Sequence, residues 1–392
     1  MKKIFYTNIF LFIFTLILSV FFCIHLIKDN HTTKILKPKL VAMAKIEPTT
    51  LTAVTTTQTT TPISFEITSS TILNFHNEID FKKAQNIKTA SLLNFGDLML
   101  DRNVKKQIDS SGSDYILEKL AQDNNFFGKV DVVAANLEGA FANSRRPTSK
   151  SIAFRFDPML IEMLKKNNFS LFNLANNHSL DMGKAGFKET QDNLKKAGID
   201  YYGQQYKVDD DNILLKQVGD FKIGFIGLDD TINKVSVNTV QKLIKKLKDQ
   251  GAEIILANIH WGNEYKKISN SRQRELAHAL IDSGVNIIIG HHPHVVEEME
   301  IYKSRPIFYS LGNFVFDQYF STDTQQELAV GLLLTQEDKE PAVSIYVLPL
   351  VSNRSQISQM DTTNTKKFFA DWNKNNRLEG NEFKNFNLKI NL

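Results

Sequence analysis

Cysteine is almost absent from this chain of 392 residues, in which Cys23 is the only one. A single cysteine excludes an intramolecular disulfide and a cage of thiolates around a metal. Any metal site must therefore use His, Asp, Glu and Asn. Strongly basic segments are also lacking: the formal net charge is only +4, and no basic helix alternates with aromatic residues. This composition argues against nucleic acid as a partner.

Apolar residues are plentiful by contrast. They make up 42% of the chain and include 28 phenylalanines. Such a content is enough for a sizeable core, in one large domain or two small ones.

The longest run without acidic or strongly basic residues lies at the N-terminus, from Ile4 to Ile27. About 20 apolar residues suffice for a helix to cross a bilayer, whereas a secretory signal has a shorter apolar region and a cleavage site of small residues. We therefore predict an uncleaved membrane anchor over residues 1–30, with a signal peptide as the alternative. Lysines both precede and follow the run, so their distribution does not favour export.

A threonine-rich tract, "IEPTTLTAVTTTQTTTPISFEITSS", occupies residues 46–70. It has two prolines and almost no charge, a composition typical of an extended linker. We predict a linker over residues 31–87 that holds a domain away from a membrane. This arrangement favours a single-pass protein of the cell membrane whose domain lies outside the cytoplasm.

From about Lys88 to Gly290, apolar runs of strand length alternate with amphipathic helical patterns. This alternation predicts an α/β sandwich whose strands are buried on both faces. After Val295 the runs "LAVGLLLT" and "AVSIYVLPLV" predict further strands without helices. The predicted domain covers residues 88–351, and residues 352–392 read as a polar tail with one aromatic stretch, "KKFFADW".

Polar side chains follow five of the apolar runs. In an α/β sheet, ligands gather beyond the carboxyl ends of the strands. Each group alone has a structural explanation, such as a turn or a helix cap, and "GHHPH" could be a hairpin turn. Together they match the ligands of Mn, Fe or Zn and predict one or two divalent metal ions. The residues are Asp97, Glu138, Asn176 with Asn177 and His178, His260, and His291 with His292 and His294.

Six segments resemble, in order, the motifs of the CapA family of capsule-synthesis proteins, which is associated with bacterial poly-γ-glutamate. They are "NFGDLMLDR", "NLEGAF", "LANNHSLDMG", "ANIHWGNEY", "GHHPHV" and "FYSLGNFVFD". That family belongs to the calcineurin-like metallophosphoesterase superfamily. The resemblance spans roughly residues 90–350 and implies a metallophosphoesterase-like sandwich of two β-sheets flanked by helices.

The resemblance also implies a role for individual residues. The implied metal ligands are Asp97, the bridging carboxylate Glu138, Asn177, His260, His292 and His294. His178 would protonate the leaving oxygen, and Arg102 would either hold an anionic group of the substrate or form a surface salt bridge.

The neighbours of these residues receive lesser roles. Asp181 would orient the loop behind His178, and His291 would serve packing or support the ligands. Glu264 is predicted to contact the ligands or the substrate rather than the metal. Met99 departs from the superfamily, which has a histidine at this position. A thioether is a poor ligand for these metals, so one metal position should be weaker or use another ligand.

Two classes of function follow. The first is a membrane-anchored metal-dependent hydrolase or transferase that cleaves a phosphoester or a γ-glutamyl amide in an envelope polymer. The second is a non-catalytic, metal-binding component of a capsule assembly or export complex. Both imply an anionic polymer such as poly-γ-glutamate and other capsule-synthesis membrane proteins as partners. A capsule-family domain reused in a cell without poly-γ-glutamate is a third alternative.

Overall fold

The computed structural model describes residues 71–392 apart from residues 147, 338 and 385. The predicted anchor over residues 1–30, and the linker up to residue 70, lie outside the described residues. Among the residues described, none of the helices is both long and apolar enough to span a bilayer.

The larger of two main sheets has nine strands. Its strand order is β16-β15-β14-β1-β2-β5-β6, with β13 paired to β1 and β17 paired to β15. The neighbours β1, β2, β5 and β6 run parallel, whereas β14 and β15 are antiparallel to their neighbours. The strands are β1 (Lys88–Leu98), β2 (Val132–Leu137), β5 (Phe169–Asn173), β6 (Asp200–Tyr202), β13 (Asn313–Val315), β14 (Gln326–Gln336), β15 (Ala342–Asn353), β16 (Gln356–Gln359) and β17 (Asn387–Asn391).

The smaller main sheet has six strands in the order β11-β12-β10-β9-β8-β7. Its central strands β8, β9, β10 and β12 are parallel. The strands are β7 (Ile213–Val218), β8 (Phe221–Asp229), β9 (Ile254–His260), β10 (Ile287–His291), β11 (Met299–Tyr302) and β12 (Arg305–Phe308). A separate pair is formed by β3 (Ala140–Phe141) and β4 (Arg155–Phe156).

Eight α-helices are described. Helix α7 begins at a capping box in which Asn270 and Gln273 exchange side-chain to backbone hydrogen bonds. Helix α5 ends at Gly198, whose positive φ of 75° suits glycine. The helices are α1 (Thr71–Ala84), α2 (Arg102–Ser111), α3 (Glu118–Gln122), α4 (Leu160–Lys166), α5 (Gly183–Ala197), α6 (Val237–Asp249), α7 (Ser271–Asp282) and α8 (Thr362–Trp372).

Three hydrophobic clusters show how these layers pack. One cluster lies between the facing sides of the two sheets. It includes Leu92 of the larger sheet and Leu256 of the smaller one. A second packs α1, α4 and α5 on the outer face of the larger sheet. A third packs α6 and α7 on the smaller sheet. The predicted sandwich of two β-sheets flanked by helices is therefore confirmed.

The fold extends beyond the predicted bounds of 88–351 at both ends. Helix α1 falls in the predicted linker, yet Ile72, Phe75 and Ile79 on it are fully buried. In the predicted polar tail, β17 extends the larger sheet and Trp372 donates a hydrogen bond to the Glu297 carbonyl at 2.9 Å. The apolar residues of α1 do not mark one clear face, since Leu73 and Phe81 are exposed, so its sequence pattern does not reveal its burial.

Candidate metal centre

Strands from both sheets end at one edge of the sandwich. Parallel pairing places Asp97 of β1 beside Asn136 of β2, and His260 of β9 beside His291 of β10. The two sheets meet there, because the backbone N–H of His292 donates to Asp97 Oδ2 at 3.2 Å. The ligand-type residues predicted from separate strand ends thus share one site.

Asp97 lies at the centre of this site and is fully buried. Its Oδ1 accepts a hydrogen bond from Asn136 Nδ2 at 2.8 Å, and His294 Nδ1 lies 3.4 Å from its Oδ2. Burial alone would raise the pKa of Asp97, but the hydrogen bond from His294 and the nearby imidazoles lower it overall. Asp97 is therefore a carboxylate at neutral pH.

Glu138 follows β2 and is also fully buried. Neither of its carboxylate oxygens has a hydrogen-bond partner among the residues that the structure describes. Burial and the charge of Asp97 raise its pKa well above the ordinary value. An isolated buried carboxylate is costly unless a proton or a cation compensates it, so this residue fits a cation ligand.

The histidines of the turn after β10 differ in their surroundings. His294 Nδ1 pairs with Asn313 Oδ1 at 2.9 Å, and its Nε2 lies 3.9 Å from Glu138 Oε1. Burial lowers the pKa of His294, but the Glu138 and Asp97 carboxyls raise it to about 9. Burial and the neighbouring His294 lower the pKa of His292 to about 4. His292 is therefore neutral at pH 7, the form in which imidazole binds metals, whereas His294 would release a proton on binding an ion.

His291 pairs with an asparagine through one ring nitrogen, and its other nitrogen, Nδ1, lies 3.7 Å from Asp97 Oδ1. Its ring Nε2 pairs with Asn258 Oδ1 at 2.9 Å on the neighbouring strand β9. Burial lowers its pKa to about 4. The role of His291 in packing or in supporting the ligands stays a prediction.

His260 and Asn177 meet at the same edge. His260 Nε2 lies 3.0 Å from Asn177 Oδ1. Two ligands on one ion, each bonded at about 2.1 Å, are separated by a similar distance. Burial lowers the pKa of His260 well below its ordinary value, so its ring is also available as a neutral ligand.

His178 forms a dyad with Asp181. Its Nδ1 lies 2.6 Å from Asp181 Oδ2, and its Nε2 lies 3.8 Å from Glu138 Oε1. Asp181 also accepts hydrogen bonds from Lys150 Nζ at 2.6 Å and from the Phe154 N–H at 2.7 Å. Burial lowers the pKa of His178, and Asp181 partly opposes this shift. The predicted orienting contact of Asp181 is present.

Arg102 lies beside the site and is partly exposed. Its guanidinium pairs with Asp317 and lies 5.0 Å from the centre of the Phe154 ring. The centre of that ring lies 4.2 Å from the centre of the His178 ring. Arg102 thus has a structural ion pair and a position next to the dyad. Its predicted contact with an anionic substrate stays a prediction.

Met99 does not take the place of a ligand. It is fully buried in the outer hydrophobic cluster, and its sulfur accepts the Asp101 N–H at 3.0 Å. The nitrogen ligand that the superfamily resemblance implies at this position is therefore missing.

Two groups among the described residues have the geometry to hold an ion, with ligand atoms all within 4.8 Å of one another. Asp97, Glu138 and His260 form the first group, and Glu264, His292 and His294 form the second. Five of the six predicted ligands belong to these groups, and Asn177 contacts His260 of the first. Sequence reasoning gave Glu264 no ligand role.

The structure also reveals a network of amides behind the ligands. Asn136 Oδ1 accepts hydrogen bonds from Asn173 at 2.9 Å and Asn176 at 3.2 Å. Asn313 and Asn258 fix the rings of His294 and His291. Their positions at or near strand ends were a usable signal, but an asparagine there is also ordinary turn chemistry.

The fold and the site together define a two-sheet α/β protein with a candidate metal centre of imidazoles and carboxylates at one edge. The family model described as bacterial capsule synthesis protein PGA_cap matches residues 91–318, more than half of the chain. The chain belongs to this family, and the resemblance stated from the six motifs is confirmed.

Two curated relatives are similar to this chain. The PGA biosynthesis protein CapA of Bacillus subtilis (strain 168) is 36% identical over 240 residues, 57% of this chain and 62% of the relative. The capsule biosynthesis protein CapA of Bacillus anthracis is 34% identical over 245 residues, 57% of this chain and 59% of the relative. The matched part thus spans about three fifths of each relative.

Among solved structures, a hypothetical protein from Thermus thermophilus aligns with a TM-score of 0.41 at 16% identity. The alignment covers 66% of this chain and 99% of that one. A similarity of this degree supports no inference about activity.

Proposed function

We propose that this chain is a metal-dependent hydrolase or transferase of capsule synthesis that acts on an anionic envelope polymer such as poly-γ-glutamate. The observation that carries the proposal is the buried Glu138 carboxyl. Both of its oxygens lack a partner among the described residues, and it lies beside His294 and His178. Family membership supports the capsule context.

The proposed ligands are those that the resemblance implies: Asp97, Glu138, Asn177, His260, His292 and His294. The donor set suits Mn, Fe or Zn. Such an ion, when bound, supplies Lewis acidity that polarises a phosphoryl or carbonyl oxygen and makes water a better nucleophile.

The remaining chemistry belongs to the chain's own side chains. The hydrogen bond between Asp181 and His178 Nδ1 fixes the orientation of the ring. Nε2 is then left to exchange a proton with the leaving group. Lys150 ties this dyad in place through Asp181 and the Asn177 carbonyl. Arg102 would hold an anionic group of the substrate near the dyad. Such groups fit both a phosphoester and a γ-glutamyl amide.

The test begins with the metal content of the purified full chain, measured by mass spectrometry after dialysis against Mn²⁺ or Zn²⁺. We expect at least one equivalent of metal, a lower metal content in His292→Ala, and an unchanged content in His278→Ala, a histidine of α7. Turnover of a generic phosphodiester and of γ-linked glutamate oligomers is then compared with and without chelator. Less than one equivalent in the unsubstituted chain would refute the enzyme proposal.

A non-catalytic role is the second candidate, and the burial of Met99 where a ligand is expected favours it. In that case the chain binds metal and the glutamate polymer but turns over neither substrate class. Metal binding without chelator-sensitive turnover, combined with retention on immobilised poly-γ-glutamate, is the result that selects this role.

We also propose attachment to the cell membrane through residues 1–30, with the domain outside the cytoplasm and other capsule-synthesis membrane proteins as partners. The uncharged run from Ile4 to Ile27 supports this proposal. Protease treatment of spheroplasts tests it, because digestion of the domain is expected only if the domain faces outward.

A further inference from the structure

The loop between β9 and α7 is fixed onto the histidine turn. The Tyr265 N–H donates to the Pro293 carbonyl at 2.8 Å, and the Trp261 N–H donates to the His291 carbonyl at 3.0 Å. Tyr265 has a positive φ of 62°, which is uncommon for a residue other than glycine. Glu264, next to Tyr265, therefore lies in a loop whose backbone is hydrogen-bonded to the turn that carries His292 and His294.

Glu264 brings a carboxylate to those two rings. One of its oxygens and one nitrogen each of His292 and His294 lie within 4.8 Å of one another. Ligands on opposite sides of one ion, bonded at about 2.1 Å, lie roughly 4.2 Å apart. The Glu264 side chain is exposed, so a small adjustment of its rotamer closes the difference without disturbing the core.

The two histidines leave room for this ligand. His292 is about nine-tenths buried, and its Nδ1 has no hydrogen-bond partner in the described part of the chain. Met99, which stands where the superfamily resemblance implies a nitrogen ligand, turns its sulfur to the Asp101 N–H. The centre thus lacks one expected ligand, and the exposed Glu264 adds one carboxylate on its solvent side.

We propose that Glu264 is a metal ligand that replaces the one missing at Met99. Glu264, His292 and His294 together bind one ion. This inference rests on the proposed metal centre. It assigns the second ion a position nearer the solvent than the ion held by the buried group of Asp97, Glu138 and His260.

The test compares Glu264→Gln with Glu275→Gln, an exposed glutamate of α7, in the full chain. Mn²⁺ binding is measured by titration calorimetry, and the visible spectrum of the Co²⁺-loaded protein reports the ligands directly. We expect Glu264→Gln to lose one of two equivalents, or to bind the weaker equivalent at least about tenfold less tightly, with a changed Co²⁺ spectrum. Glu275→Gln should match the unsubstituted chain.

The outcomes separate this inference from the proposal beneath it. Unchanged Mn²⁺ binding and an unchanged Co²⁺ spectrum in Glu264→Gln, with one equivalent lost in His292→Ala, overturn the role of Glu264 alone. An unsubstituted chain that binds no metal overturns both proposals. Thermal unfolding of each variant confirms that it is folded, which the exposure of both glutamates favours.

Discussion

Asn136 holds the candidate centre together through a single side chain. Its amide donates to Asp97 and accepts from Asn173 and Asn176. In Asn136→Ala, Asn173 Nδ2 and Asn176 Nδ2 each lose one of their two acceptors, and the Asp97 carboxylate loses a donor. A buried polar group left without a partner costs about 1–3 kcal/mol. We expect the free energy of unfolding to fall by about 2–4 kcal/mol in urea titrations. Asn233→Ala, at an exposed asparagine, should change it by less than about 0.5 kcal/mol.

The Glu297 carboxyl makes the free energy of unfolding depend on pH. Burial raises its pKa to about 8, whereas the unfolded chain releases this proton near pH 4.3. The folded state therefore binds more protons between these values, and the free energy of unfolding falls as the pH rises from about 4.3 to 8. Below this window the carboxyl is protonated in both states and contributes no slope.

Glu297→Gln removes this titration and keeps the shape of the side chain. We expect the melting temperature of the variant, relative to the unsubstituted chain, to rise as the pH goes from 5 to 8. Scanning calorimetry at both pH values measures the difference, with Glu275→Gln as the exposed control. An equal difference at pH 5 and pH 8 contradicts the prediction.

Some residues of the site could be predicted from the sequence, and others could not. The ligand types could be predicted because each follows an apolar run, and the parallel pairing brings such ends together. The proximity of Glu264 to His292 could not be predicted, because it depends on the hydrogen bond between the Tyr265 N–H and the Pro293 carbonyl. No pattern of residue types encodes that contact.

The end of β10 and the turn after it are the segment on which the centre depends. Gly290 lies at the end of β10, where an added Cβ would be 1.9 Å from the Tyr309 carbonyl oxygen and 2.5 Å from Trp261 Nε1. His292 and His294 then adopt positive φ values of 97° and 58°. Strain of this kind persists where the surrounding structure imposes it and is common at functional sites.

Gly290→Ala should therefore separate β10 from its neighbours at this edge. We expect it to lower the free energy of unfolding by at least about 3 kcal/mol, as overpacking does against a rigid backbone, and to reduce the metal content. Gly183→Ala is the comparison, because Gly183 has a φ of 68° but open space around it. That variant should cost only about 1–2 kcal/mol and retain the metal, as unfolding and metal analysis can show.

At the scale of the whole molecule, the proposed ligands come from both sheets. Asp97 and Glu138 lie at the ends of strands of the larger sheet, whereas His260 and His292 lie at the ends of strands of the smaller one. A bound ion would join the two layers and stabilise the folded state alone. At a free metal concentration of 100 times Kd, the stabilisation is about 2.7 kcal/mol.

Chelation should therefore lower the melting temperature by several degrees, and addition of Mn²⁺ or Zn²⁺ should restore it. His292→Ala serves as the control, since its melting temperature should respond much less to chelator. A melting temperature of the unsubstituted chain that is independent of metal would count against an ion bridging the sheets.

The overall architecture could be predicted from sequence because strand and helix patterns alternate over most of the domain. The ends could not, because their burial depends on tertiary contacts. Helix α1 covers the larger sheet through three apolar residues, and Arg377 reaches Glu298 and Glu300 at 3.1 Å and 2.9 Å. Short segments with a few well-placed anchors read as linkers by composition alone.

The position of β17 has a practical consequence for work with immobilised protein. Leu392 donates its N–H to the Pro341 carbonyl, at the start of β15, which pairs through β14 with the Thr89 end of β1. Asp97 lies eight residues further along β1, roughly 26 Å away. A surface coupled at residue 392 would therefore face the opposite edge of the sandwich and leave the histidines open to a long polymer in solution.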